Sequence, residues 1–255
     1  MNVRELYTFL NEKIPPSLSC EWDNDGLMCC ADEAREVKHV LIALDVTDKV
    51  ISEALERGCD VILSHHPLIF SPLRSVTPQN HVAKKVIRLL REGITVMSFH
   101  TRLDAVEGGV NDTLATALGL ADVTPFGVGG EAIGRVGALA KELSLKDFAK
   151  AVKNVTGADY VQVADAARPV KRVAVLGGSG SDDVKSAIAA GADTYVSGEL
   201  KHNYLTEAAE MGINLIAAGH HHTENLVCHR LFELVAEADG KISITVTDSN
   251  EVQTV

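Results

Sequence analysis

Short apolar runs alternate with amphipathic stretches along most of the chain. Val40-Leu41-Ile42-Ala43-Leu44, Val61-Ile62-Leu63, Thr95-Val96-Met97-Ser98-Phe99 and Val173-Ala174-Val175-Leu176 are too short for helices and scarcely alternate with polar residues. That is the pattern of strands buried on both faces. Residues 135–139, 160–163 and 194–196 read as further strands, and 241–247 as a terminal one. Between them, 48–57, 81–92, 144–155, 183–190 and 204–211 read as helices, with Ser144 as a cap and Asp147 in the first turn. Residues 3–11 form a helical stripe ended near Pro15-Pro16. Residues 111–118 end at Gly119, and 224–236 give a last helix. The polar stretch 21–27 reads as a turn rather than a regular element. The alternation of strand and helix predicts an α/β protein with mixed or mostly parallel sheets covered on both faces. Gly127-Val128-Gly129-Gly130 breaks the rhythm and marks an expected joint between two halves of similar pattern.

Composition narrows the partners. The 255 residues are 46% hydrophobic and 23% charged, enough to bury a core and too apolar for long disorder. A formal net charge of -11 argues against general nucleic-acid binding, which needs a basic face. It leaves room for a small anionic or nucleotide substrate, since a bound divalent cation reverses the local potential. No apolar run reaches the length of a membrane span and no secretory leader is evident, so a cytoplasmic protein with no membrane partner is expected. Five cysteines, an odd number, favour reduced thiols. Cys29-Cys30 reads as a structural pair or a soft-metal pair, and Cys59 as packed.

The candidate chemistry sits where strands end. His65-His66-Pro67 follows one apolar run, and His220-x-x-x-Glu224 follows another, Ile213-Asn214-Leu215-Ile216-Ala217. Four-residue spacing puts His220 and Glu224 on one face if a helix has begun. Asp104, beyond the strand at 95–99, offers a hard oxygen ligand. Imidazole with carboxylate suits zinc, iron, manganese or nickel better than calcium. Five such groups exceed what one catalytic ion with an open position needs, so two divalent metal ions sharing a carboxylate are the better count. Ions about 3.5 Å apart lower the pKa of a shared water. His100 and His202 are each either a proton carrier or a packed histidine, while His221 and His222 are neighbours or solvent-facing residues. Lys201 reads as a surface charge. Gly177-Gly178-Ser179-Gly180 lacks the phosphate-loop spacing and is either a tight turn or a set of backbone donors for an anion.

At these residues the chain resembles the NIF3-like family, also called DUF34 and GTP cyclohydrolase I type 2 homologues. Trp22-Asp23-Asn24-Asp25-Gly26-Leu27, Ser64-His65-His66-Pro67-Leu68-Ile69-Phe70, Leu103-Asp104 with Gly109-Val110-Asn111-Asp112, Ser197-Gly198-Glu199-Leu200-Lys201-His202 and Gly219-His220-x-x-Thr223-Glu224 carry the likeness over nearly the full length. Met28-Cys29-Cys30 departs from the glycine-containing continuation usual after the first motif. The resemblance implies a dinuclear metal centre on His65, His66, Asp104, His220 and Glu224, in a cleft faced by two similar α/β domains. It also implies a toroidal homohexamer, a trimer of dimers. The C-terminal segment is then expected on the first domain, which gives 1–126 with 222–255 as one domain and 127–221 as the other.

The expected function is that of a metal-dependent hydrolase. In a GTP cyclohydrolase-like reaction, metal-bound hydroxide would attack C8 of guanine, and ring opening and a second hydration would release formate. Asp104 or Glu224 would serve as the shared carboxylate, with His100 or His202 carrying the proton. The alternative is a non-catalytic metal-binding protein with a regulatory, scaffold or metallochaperone role.

Overall fold

The computed structural model describes residues 1–127 and 132–253 and divides into two compact units. One comprises Met1–Val106 with Cys228–Gln253, the other Glu107–Val227. The glycine joint expected at 127–130 lies largely outside the described residues.

In the first unit the elements are α1 (Val3–Lys13), β1 (Gly26–Cys29), β2 (His39–Ala43), α2 (Asp48–Glu56), β3 (Val61–Ser64), α3 (His81–Glu92), β4 (Thr95–Ser98) and α4 (Thr101–Ala105). The second unit holds α5 (Val110–Ala117), β5 (Ala121–Phe126), β6 (Gly134–Leu143), α6 (Leu145–Thr156), β7 (Gln162–Ala164), β8 (Val170–Ser179), α7 (Val184–Ala189), β9 (Thr194–Glu199), α8 (His202–Met211), β10 (Asn214–Ala217) and α9 (His220–Glu224). The chain then returns to the first unit through α10 (Val227–Ala238) and β11 (Ser243–Val246).

The first sheet runs β1-β4-β3-β2-β11, parallel throughout except for β1, which lies antiparallel at the edge. Leu41, Ile62 and Val96 on neighbouring strands meet Val50, Ile51 and Ala54 of α2 and Val86 and Leu89 of α3 in one apolar cluster. Burial of this kind is what drives these strands together. The helices start where the side chains say they should. Asn2 and Glu5 form a reciprocal capping box on α1, Thr47 caps α2 and Asn80 caps α3.

The second sheet, β5-β6-β8-β9-β10-β7, is mixed, with β8, β9 and β10 parallel and the outer strands antiparallel. Phe148 and Val152 of α6 pack on one face with Val173, Val175, Val196 and Ile216. Val184 and Ala187 of α7 and Ala208 of α8 cover the other, over Ala174, Tyr195 and Leu215.

Three sequence expectations shift. The joint falls after Val106 rather than at 126/127, because β5 pairs with β6 and Leu114 of α5 packs in the second core. Residues 222–227 stay with the second unit, since Thr223 is bonded to Gly178 of β8. The stretch 21–27 is not wholly a turn, for Gly26 and Leu27 open β1. The five cysteines form no disulfide, and burial pushes the Cys29 thiol up to about 11. No helix among the described residues is long and apolar enough to cross a membrane.

Candidate metal centre

Parallel register aligns Ala43 of β2, Ser64 of β3 and Ser98 of β4, so the chain leaves three neighbouring strands at one level. The residues that follow are Asp45, His65 with His66, and His100. This is the carboxyl edge of a parallel sheet, where α/β proteins place their sites. The edge is braced by hydroxyls. Ser64 Oγ donates to the His66 carbonyl at 2.9 Å, which leaves Ser98 Oγ to donate to Ser64 Oγ at 2.8 Å.

One ring nitrogen from each of His65, His66 and His100 lies within 4.8 Å of the other two, so the three imidazoles could hold a metal ion. In each ring another contact fixes the orientation. His65 is fully buried and its Nδ1 lies 2.9 Å from the Phe99 carbonyl. A carbonyl only accepts, so Nδ1 carries the proton and Nε2 the lone pair. That lone pair faces Asp104 Oδ1 on α4 at 3.7 Å. Two electron-pair donors held face to face in a buried place fit a cation between them.

His66 Nδ1 meets Asp45 Oδ1 at 2.6 Å, and Asp45 in turn accepts from Ser249 Oγ at 3.0 Å. His100 Nδ1 donates to Asp23 Oδ1 at 2.8 Å. Thr101 adds its backbone N–H at 3.0 Å and its hydroxyl at 2.6 Å to the other Asp23 oxygen. Burial alone would raise the Asp23 carboxyl, but the bonds from His100 and Thr101 outweigh it and hold the group well below the ordinary carboxylate range. Asp25 accepts from the His100 backbone at 3.2 Å and from Arg102 Nε at 3.1 Å. Arg102 is itself buried, reaching Asn11 Oδ1 at 2.7 Å and lying 4.3 Å over the Phe99 ring. The acidic residues of the first motif therefore position His100 and the start of α4, the helix that carries Asp104.

The second unit supplies a His–Glu pair. The helix expected from residue 224 divides, and the short α9 already begins at His220, so His220 and Glu224 share one face. His220 Nε2 stands 3.2 Å from Glu224 Oε2, and its Nδ1 stands 3.4 Å from Glu199 Oε2 at the end of β9. Glu224 is 5% exposed.

The glycine turn at 177–180 explains how that carboxylate fits. A Cβ at Gly178 would collide with Glu224 Oε1 and come within 3.1 Å of His220 Nε2, and at Gly177 it would stand 3.0 Å from Glu224 Cγ. The anion-cradle reading is corrected here, because three of its four backbone donors are already used. Gly177 N–H goes to Asn111 Oδ1 at 2.8 Å, Gly178 N–H to Thr223 Oγ1 at 3.1 Å and Gly180 N–H to Ser197 Oγ at 3.0 Å. The glycines make room for a carboxylate of the protein itself.

The remaining candidates stand apart. Among the described residues, His202, His221 and His222 enter no group of metal-ligating atoms within 4.8 Å, and His202 is exposed at the start of α8. Lys201 pairs with Asp182 on the surface at 3.0 Å. Asp45, Asp23, Asp25, Glu199 and Asn111 were not picked out from the residues alone. The usable signal for Asp45 was an acid directly after a buried strand, and for the others their place inside the recognised motifs.

Comparison with known proteins extends over the whole chain. A family model described as Duf34/NIF3 (NGG1p interacting factor 3) matches residues 1–253. The chain is 34% identical over 244 residues to the GTP cyclohydrolase 1 type 2 homolog of Clostridium perfringens, covering 93% of this chain and 92% of that one. It is 33% identical to NGG1-interacting factor 3 of Saccharomyces cerevisiae, covering 87% and 84%. The crystal structure of Staphylococcus aureus hypothetical protein SA1388 superposes with a TM-score of 0.89 at 28% identity, over 100% of this chain and 99% of that one.

Proposed function

Because the chain belongs to the Duf34/NIF3 family, we propose that it is a metal-dependent hydrolase with two divalent ions held by His65, His66, Asp104, His220 and Glu224. The carrying observation is the bonding of the imidazole cluster. Of the proposed ligands, His65 and His66 each use Nδ1 on a protein acceptor, the Phe99 carbonyl and Asp45, and His100 beside them does the same with Asp23. Acceptors of that kind set the tautomer and raise the basicity of metal-ligating histidines. The donor set of imidazole and carboxylate suits zinc, iron, manganese or nickel.

Bound ions would supply Lewis acidity toward an attacking water and the charge developing on the substrate. The chain's own residues do the rest. Glu224, wedged against Gly178, presents a fixed carboxylate, and Asp104 presents the other. His100, whose Nδ1 proton is committed to Asp23, takes or gives a proton at Nε2. A nucleotide or related heterocycle is the substrate class supported by the name of the Clostridium relative, with GTP the first to try. The same membership supports assembly as a hexameric ring in the cytoplasm.

The test combines metal analysis with turnover. Protein loaded with zinc or manganese should hydrolyse a nucleotide, and Glu224→Gln should lower kcat by about a hundredfold or more with the melting temperature retained. A rate unchanged in protein verified to be metal-free would contradict the reading. Stable metal binding without turnover of any nucleotide would favour the non-catalytic alternative.

A further inference from the structure

Beside the imidazole cluster stands an aromatic corner that the hydrolytic reading leaves unused. Trp22 and Phe70 are 59% and 51% exposed. Their ring centroids lie 6.2 Å apart at 63°, and each also packs edge-on against His100, at 6.2 Å and 6.0 Å. His100 is thus common to the corner and to the cluster.

Neither ring rides on a slack segment. Trp22 precedes Asp23, whose carboxylate is bound by His100 and Thr101 and whose N–H reaches the Cys20 carbonyl at 3.0 Å. The Asn24 side-chain amide donates to the carbonyl of Ile69, adjacent to Phe70, and so ties the two loops together. Two large apolar rings held half out of water by this many bonds oppose the hydrophobic effect, and such exposure marks a binding surface. Aromatic faces favour flat π-systems, which stack irrespective of substituents. The neighbouring imidazoles and carboxylates suit the polar edge of a heterocycle and offer an aliphatic chain nothing comparable.

We propose that Trp22 and Phe70 form the ring-binding subsite of the centre and take the planar heteroaromatic part of the substrate, a purine-like ring, against the edge of His100. The proposal rests on the hydrolase reading for its chemistry, and its test reads binding separately from turnover. Trp22 is the single tryptophan of the chain, so fluorescence excited selectively at tryptophan reports on this corner. Guanosine, GTP and ribose 5-phosphate are titrated into the full chain, both metal-free and loaded with zinc or manganese.

Guanosine and GTP should quench saturably, with a midpoint independent of protein concentration, and ribose 5-phosphate should not. Phe70→Ala, melting at the wild-type temperature, should weaken guanosine binding about tenfold. By calorimetry, Trp22→Phe should retain more affinity than Trp22→Ala. Absence of quenching by both guanosine and GTP in the loaded protein, an equal response to ribose 5-phosphate, or unchanged affinity in Phe70→Ala would overturn the subsite. Quenching by guanosine without hydrolysis of GTP would support the subsite while contradicting the hydrolase reading, and hydrolysis without quenching would do the reverse.

Discussion

At the scale of single residues, Gly178 shows how backbone and ligand depend on each other. Its φ of +66° disfavours any side chain, and a Cβ there would displace Glu224 and crowd His220. Gly212 has φ +70° but open space around it. Alanine at either position should cost about 1–3 kcal/mol of stability from backbone strain. Only Gly178→Ala should also weaken divalent-cation binding, measurable by calorimetry, and equal affinities in the two variants would contradict the role assigned to the glycine. The histidines and acids that could hold metal were legible because they stand directly after apolar runs. Their partners were not: Asp23 meets His100 and Asp45 meets His66 only once the strands are side by side, and nothing local in the sequence encodes that pairing.

At the scale of elements, buried parallel strands were the clearest feature of the sequence, since β2, β3, β4 and β10 are apolar on both faces. The edges were harder to read. β5 is mostly exposed and contains Pro125, and β1 begins at a glycine with φ +109°, so both look like turns until a neighbour pairs with them. The edge strand β11 is secured just past its end, where Thr247 Oγ1 donates to Glu53 Oε2 of α2 at 2.6 Å. That bond leads the causes that lower the Glu53 pKa, with burial opposing it and Arg57 assisting. A depressed folded-state pKa contributes stability that is present above the unfolded value of about 4.3 and lost as pH falls through the folded one. Thr247→Val should therefore melt below wild type at pH 7, by a margin that narrows as pH drops under about 4. A margin constant across the acid range would show that Glu53 is not its source.

At the scale of the whole molecule, two α/β units each carry metal-capable side chains where strands give way to helices. The first offers an imidazole cluster with Asp104, and the second offers His220 with Glu224. A net charge of -11 is no obstacle to such a centre, because a bound cation dominates the potential nearby. It does weigh against general nucleic-acid binding. The central proposal is that His65, His66, Asp104, His220 and Glu224 hold two ions, and anomalous diffraction from crystals loaded with zinc or manganese tests it most directly. Two peaks per chain are expected, ligated by His65, His66, Asp104, His220 and Glu224 at about 2.0–2.2 Å. Loaded crystals with no ion on those side chains, or with the ions seated on other residues, would contradict it.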